Sequence, residues 1–277
     1  METLTTEPTV PVTAQPLDTS VTMPVLSQIA MLAKRTLIVN IRVPAAIIPS
    51  LAISLFTLFI YQAQFNGISS LFLKGQSYLG FILPLSILSA ALSGSSVAGQ
   101  TIVNDIGRGY FDKLSLTPVS RWALLLGPMA AGGVFLAAQT LLLVFVGVAL
   151  GLRPVTGFAG LLAIVGFAML IGVAFSGLTV GVALLTGNSA ATSSSSFLFF
   201  PLTFLTATFV PLDRLSGWIR VAAQINPITY ALEAMRAILN TGWDSALIAK
   251  GLIAGGLMFV VLFTFALFGL RTRTRRN

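Results

Sequence analysis

Residues 154–212 read PVTGFAGLLAIVGFAMLIGVAFSGLTVGVALLTGNSAATSSSSFLFFPLTFLTATFVPL, 59 residues between Arg153 and Asp213 without an ionisable acid or base. A charge at the centre of a bilayer costs ~2.5–3.5 kcal/mol even on the lenient insertion scales. A helix needs roughly 20 apolar residues to cross ~30 Å of hydrocarbon. The stretch is long enough for two crossings, and the turn-forming cluster Thr186-Gly187-Asn188-Ser189 divides it.

Working outward, Val43 to Leu73, Gly75 to Asn104, Trp122 to Leu152 and Gly251 to Leu270 are charge-free as well. Five stretches, one of them double, predict six transmembrane helices near 44–64, 79–103, 122–150, 158–185, 190–209 and 249–270. The expected fold class is therefore an all-α integral membrane protein with a single transmembrane domain over 25–277. Only 9% of the 277 residues are charged and 56% are hydrophobic, against about 25% charged in a soluble domain.

The net charge of +8 does not form a nucleic-acid footprint. The basic residues sit beside the apolar runs, where the cytoplasmic face of a membrane attracts them, so lipid and not nucleic acid is the expected partner. Cysteine and histidine are both absent. Disulfides and thiolate metal sites are excluded, and the commonest metal ligand and proton shuttle is missing. No metal site is expected.

Residues 1–24 hold seven threonines and four prolines with no periodicity, and read as a disordered cytoplasmic tail. No basic region precedes a short apolar core, so a cleaved signal peptide is not expected. From Val25 to Arg42 the pattern turns helical and two-faced. Leu26, Ile29, Ala30, Ala33 and Leu37 follow helical spacing, while Gln28, Arg35 and Arg42 recur on another stripe beside Lys34. That suits a helix lying in the membrane interface, with Lys34, Arg35 and Arg42 toward lipid phosphates. A cytosolic extension of the first span is the alternative.

The connections set the orientation. One set carries ten basic residues: Lys34, Arg35, Arg42, Arg108, Lys113, Arg121, Arg271, Arg273, Arg275 and Arg276. The other carries six: Lys74, Arg153, Arg214, Arg220, Arg236 and Lys250, four of them in a long segment where the bias counts for less. Both termini are expected in the cytoplasm. Small residues such as Ser93 to Ser96, Gly172, Ser176 and Ser193 to Ser196 line the spans. They allow close helix packing, or alternatively line a transport path.

Two connections carry more than a chain reversal needs. Asn104 to Arg121 reads NDIGRGYFDKLSLTPVSR, mixing Asp105, Arg108, Asp112, Lys113 and Arg121 with Ile106, Phe111, Leu114 and Leu116. Pro118 should end any helix near Leu116 or Thr117. A short amphipathic helix here would offer a docking surface to another protein; the alternative is a solvated loop. Phe204 to Lys250 holds Pro211, then the apolar Leu212, Leu215, Trp218, Ile219 and Ala222, then an Asn226-Pro227 turn and a helical run from Ile228 to Leu239. Glu233 and Arg236 sit at i, i+3 and could pair. Trp218, Tyr230 and Trp243 are interfacial rings. Two short helices that dip into the outer leaflet and return explain this mix; a plain outer loop is the alternative.

Asp105-x-Gly107-x4-Asp112-x-Leu114-x2-Thr117-Pro118-x-Ser120-Arg121 resembles the cytoplasmic coupling segment of the type-2 permeases of ATP-binding-cassette exporters. Phe209-x-Pro211, Trp218 and Asn226-Pro227-x-Thr229-Tyr230-x2-Glu233-x2-Arg236 resemble the same family's motif before the last span. The resemblance covers nearly the whole chain after residue 25 and includes daunorubicin-type drug permeases and permeases for lipids and polysaccharides. It implies a half-transporter: two six-span subunits, identical or similar, above two ATP-hydrolysing subunits. ATP and Mg would be bound by those partners and no cofactor by this chain. Asp105, Gly107, Phe111, Asp112, Leu114, Thr117 and Arg121 would form the ATPase-coupling element together with the interfacial helix. Pro211, Trp218, Asn226, Pro227, Tyr230, Glu233 and Arg236 would belong to a re-entrant pair shaping the outer exit. One departure stands out, because the family usually carries glutamates where this chain has Asp105 and Asp112, and aspartate reaches one methylene less far.

The residues agree on where a driving force is lacking. A phosphate-binding loop needs G-x-x-x-x-G-K-[ST], and none of the four lysines, Lys34, Lys74, Lys113 and Lys250, ends that pattern. Proton- or sodium-coupled carriers usually use intramembrane carboxylates, and none is placed for it, although an ion site of hydroxyls and carbonyls stays open. A lipid-modifying enzyme would need a nucleophile and base, or paired carboxylates; Asp105 and Asp112 could share a helix face but lack His or Cys beside them. The expected function is the non-catalytic, multi-pass permease subunit of an exporter in a prokaryotic cytoplasmic membrane, moving a hydrophobic drug or lipid outward. An ion-coupled carrier and a polysaccharide permease are the alternatives. Reconstituted alone in liposomes under an ion gradient, the chain is expected to accumulate nothing against a concentration gradient; uphill uptake in a flux assay would contradict this.

Overall fold

The computed structural model describes residues 23–43, 47–65, 67, 77–206, 212 and 215–276. The expected tail 1–24 lies almost wholly outside the described residues, as do Lys74, Pro211 and Arg214. The described residues are helical, without strands. In chain order the helices are α1 (Val25–Ile41), α2 (Ile48–Phe65), α3 (Tyr78–Gly94), α4 (Ser96–Gly107), α5 (Tyr110–Ser115), α6 (Arg121–Ala149), α7 (Gly157–Thr186), α8 (Ser189–Ser195), a single 3-10 turn (Ser196–Leu198), α9 (Phe199–Phe204), α10 (Gly217–Ile225), α11 (Pro227–Asn240) and α12 (Ser245–Arg276). Five are long and apolar enough to cross a membrane: α2, the α3–α4 unit over 78–107, α6, α7 and α12.

Local chemistry explains where these helices begin and end. The Ser120 hydroxyl accepts from the Trp122 N–H and opens α6. Asn226 caps α11 by accepting from Ile228, with Pro227 in the first turn, where its missing N–H costs nothing. Asp244 accepts from the N–H groups of Ala246 and Leu247 and opens α12. At the end of α7, Gly187 takes a left-handed φ of 61°, which suits a residue without Cβ. The break between α3 and α4 falls in a serine cluster. Ser93, Ser95 and Ser96 turn their hydroxyls back to carbonyls three or four residues earlier, a habit that bends helices.

Helix α7 is the hub, packed against α3, α4, α6, α11 and α12. One apolar cluster surrounds Ile82, Leu83, Ile164, Phe175 and Leu232. A second surrounds Ile102, Phe111, Met129, Leu184 and Leu270, nearer the opposite end. Helix α1 lies across the start of α6, with Leu32 over Gly127.

The expected crossing at 190–209 differs from the others. Its described part is not one long helix but α8, a 3-10 turn and α9. Five consecutive hydroxyl residues, Thr192 to Ser196, enter it, and Thr192 and Ser195 donate to the carbonyls of Asn188 and Thr192. Pro201 then adds a residue with no N–H to donate. These groups compete with the regular ladder in a stretch whose hydropathy alone suggests an unbroken span.

Close approach between helices is set by glycine. A Cβ on Gly99 of α4 would lie 2.7 Å from the Thr179 carbonyl oxygen of α7, whereas one on Gly256 would meet nothing within 4 Å. Gly99→Ala is therefore expected to destabilise by about 1–3 kcal/mol through forced backbone displacement. Gly256→Ala is expected to be neutral or slightly stabilising, both read from thermal unfolding in detergent.

Candidate functional site

At one end of the bundle α1, α4, α5, the start of α6 and the end of α12 meet. Helix α4 stops at Gly107, and Gly109, at φ 65°, turns the chain into the short α5. Asp105 and Asp112 therefore do not share a helix face, contrary to what their spacing allows. Asp105 is buried and faces α1, where Arg35 donates from Nη1 to Oδ2 at 2.7 Å and from Nη2 to Oδ1 at 2.6 Å. That fork holds Arg35 still more firmly protonated than a free guanidinium, against the opposing effect of burial. The Arg35 guanidinium also stacks 4.2 Å from the Tyr110 ring centroid. Asp112 approaches Arg273 of α12 at 3.9 Å, and Arg273 lies 5.7 Å from the centroid of the buried Phe111 ring.

The other residues expected for coupling divide by exposure. Leu114 is half-buried, while Gly107, Thr117 and Arg121 are exposed, as are Lys34 and Arg42 on α1. Thr117 donates back to the Leu114 carbonyl at 2.6 Å and closes the turn after α5. Leu116, whose surface is 89% accessible, forms the apolar tip beside Lys113 and Pro118.

At the opposite end α11 is buried along most of its length. Arg236, also buried, donates from Nε to the Phe81 carbonyl at 3.0 Å, and its guanidinium lies 3.6 Å from the Phe81 ring centroid. Asn226 caps α11 and also donates from Nδ2 to the Leu202 carbonyl at 2.6 Å, so the end of α9 is tied to the α10–α11 corner. Tyr230 donates to the Gln224 carbonyl at 2.5 Å, fastening α11 to α10. Glu233 is half-buried one turn before Arg236. Helix α10 presents Trp218, Val221 and Ile225 outward at helical spacing and buries Ala223. Pro211 lies outside the described residues.

Between α2, the α3–α4 unit and α8–α9 lies a cavity of about 440 Å³. Its lining carries the hydroxyls of Ser89, Ser93, Ser96, Ser193 and Ser196 together with the rings of Tyr61, Phe197, Phe200 and Phe204. Ser89 and Ser93 donate to carbonyls of α3, and Ser96 of α4 donates across the break to the Ser93 carbonyl. Their single protons are thus engaged, and the lining offers oxygen lone pairs.

Residues 27–240 match the family model for the ABC-2 type transporter. The chain belongs to that family. Among individual proteins, this ABC-2 chain is 24% identical over 65% of its length to the daunorubicin resistance ABC transporter permease protein DrrB1 of Streptomyces coeruleorubidus, covering 66% of it. It is 26% identical over 58% of its length to the probable doxorubicin resistance ABC transporter permease protein DrrC of Mycobacterium tuberculosis, covering 58% of it. It is 25% identical over 88% of its length to the putative transport permease ycf38 of Cyanophora paradoxa, covering 87% of it. The chain thus spans somewhat less than two thirds of the first two relatives. Multi-pass membrane character follows from the family and the five apolar helices together.

In this ABC-2 chain, sequence reasoning grouped Asp105 and Phe111 with the contact residues, whereas both are buried among the chain's own helices. It named Leu116 among the apolar groups of the docking surface but left it out of the coupling set, although its place one residue before the Thr117-Pro118 stop marks it as the exposed tip. It offered Glu233 as a partner of Arg236 and did not find the Phe81 carbonyl and ring on α3. Replacing Arg236 with Gln is expected to leave the Phe81 carbonyl short of its charged donor and to destabilise by about 1–3 kcal/mol, seen as a lower melting temperature in detergent.

Proposed function

We propose that this chain is the membrane-spanning, non-catalytic permease subunit of an ATP-driven exporter. Two such subunits, identical or similar, pair in a prokaryotic cytoplasmic membrane, each with six spans and both termini in the cytoplasm. The broken α8–α9 segment contributes the fifth crossing, α1 lies at the cytoplasmic interface, and α10–α11 form the outer re-entrant pair. Separate ATPase subunits, which bind ATP and Mg, dock from the cytoplasm.

The observation that carries this reading is the tip of α5. Leu116 stands almost fully exposed among Lys113, Thr117 and Pro118, on a helix whose other face is fixed by Phe111 and by the Arg35–Tyr110 stack. An apolar knob on a rigid mount suits insertion into a groove on a partner protein. It lies at the end where Arg108, Lys113, Arg271 and Arg275 gather, as a cytoplasmic face requires.

The cavity supports the cargo class. Its aromatic rings suit a planar or acyl body, and its serine hydroxyls accept hydrogen bonds. A hydrophobic drug or lipid carrying hydroxyl or amine donors fits this lining, consistent with the daunorubicin and doxorubicin names of the relatives.

ATP hydrolysis by the reconstituted complex, screened against lipids and hydrophobic drugs, tests the substrate class: stimulation by an amphipathic donor is expected, and stimulation by none of them contradicts it. Leu116→Glu tests the docking. Losing a buried leucine contact of about 2 kcal/mol should lower ATPase affinity roughly thirtyfold, read by co-purification. The thermal stability of the isolated permease should stay within about 0.5 kcal/mol, as for an exposed side chain.

A further inference from the structure

Arg35 lies on α1, outside every candidate span, yet its guanidinium is engaged from two directions. Its two terminal nitrogens meet the two oxygens of Asp105 on α4, and the Tyr110 ring of α5 covers its face at 4.2 Å. One side chain joins three helices. Two further contacts flank it along α1. Gln28 Oε1 accepts the Ser120 N–H at 2.8 Å, at the start of α6. Asn40 Nδ2 donates to Thr101 Oγ1 at 3.0 Å, on α4. Helix α1 is thereby fastened at three levels to both ends of the 104–121 connection, while Leu32 seats it against Gly127 of α6. The six-residue α5 is too short to hold a fixed orientation on its own.

We propose that Arg35 is a positioning residue for transport: by forking onto Asp105 and stacking on Tyr110 it makes α1 and α5 a single lever, so that a push on the Leu116 tip reaches α1 and, through it, α6. This rests on the reading that an ATPase docks at that tip. Neither Arg35 nor Asp105 then contacts the ATPase; their work is internal. A lysine cannot replace the arginine, because a point charge makes neither the planar fork nor the stack.

The chain has no cysteine, so a Met31→Cys, Ser115→Cys pair places one nitroxide label on α1 and one on α5 without background. Both sites are exposed. Distances are measured by pulsed electron paramagnetic resonance in the full complex with its ATPase subunit, nucleotide-free and trapped with ATP. In the otherwise unaltered complex the distance is expected to be narrow and the same in both states. With Arg35→Gln it should shift between states by about 2 Å, the size of a helix displacement at an interface, while the ATPase still co-purifies. Arg35→Lys should behave as Arg35→Gln does. Tyr110→Leu, which removes the stack and leaves the Arg35–Asp105 fork, should broaden the distribution in the same sense.

A distance that stays fixed in both Arg35→Gln and Tyr110→Leu overturns the lever, as does a shift already present in the unaltered complex. Loss of the ATPase in Arg35→Gln also overturns it, since the arginine would then be a docking contact. Failure of any ATPase to co-purify with the unaltered chain is distinguishable from all of these, because it removes the reading on which the lever rests.

Discussion

Lipid tails are as apolar as leucine, so no hydrophobic force holds one membrane helix to the next; packing at short range has to do it. In this chain that packing converges on α7. A Cβ on Gly172 would lie 3.0 Å from the Gly133 Cα of α6, one on Gly177 would lie 3.1 Å from the Leu262 carbonyl of α12, and one on Gly99 of α4 would overlap the Thr179 backbone. Three neighbours thus approach one helix at near backbone contact, and every other element is placed by what it adds to this group. The polar cost of the arrangement is met locally. The Ser95 carbonyl, at the break between α3 and α4, accepts the Thr179 hydroxyl at 2.7 Å, as an apolar medium demands of any irregular backbone.

The two ends of the bundle are held by different chemistry. The end with α11 is closed by apolar burial around Leu232, Met235 and Ile238, with Arg236 bolting it to the Phe81 carbonyl of α3. Such an end resists shear, because any displacement opens apolar voids. The end with α5 is held by ionic and amide contacts at Arg35, Gln28, Asn40 and Arg273, with a smaller apolar anchor at Phe111. Contacts of this kind keep their partners over small rotations. The short α5 is thus mounted where directional links join it to its neighbours, and α11 where close packing does.

Much of this was legible in the residues. A run without charge has one physical meaning in a chain of this composition, so α2, α3–α4, α6, α7 and α12 fall close to where the charge-free stretches put them. The stop after α5 was written in Thr117-Pro118, and the α11 cap in Asn226-Pro227. Partners distant in sequence were not legible. Arg35 and Asp105 lie 70 positions apart, and no spacing rule selects that pair among the arginines and acids at this end. The turn at Gly109 was equally hidden, since a glycine inside NDIGRGYFDK reads as a mild helix weakness until the chain is seen to reverse there. The α8–α9 break was obscured by hydropathy scales, which score Thr192 to Ser196 by polarity and ignore that a hydroxyl can return to its own backbone.

That break gives the cavity its character. A continuous helix would present one face of side chains at a fixed angle. Instead Ser193 lies in the last turn of one short helix, Ser196 and Phe197 sit on a 3-10 turn and Phe200 lies in the first turn of the next, so hydroxyl and phenyl groups share one wall region. Ser196 lies 3.2 Å from Ser95 across the gap, at the point where α3 also breaks. Two irregular backbones therefore face each other at the same depth, and each relies on side-chain hydroxyls from itself or from α7. Because those bonds are short-range and exchangeable, this is the level at which the segments can tilt without leaving a backbone group unpaired. The cavity can therefore change shape at least cost beside the paired breaks, where both of its bounding segments can bend.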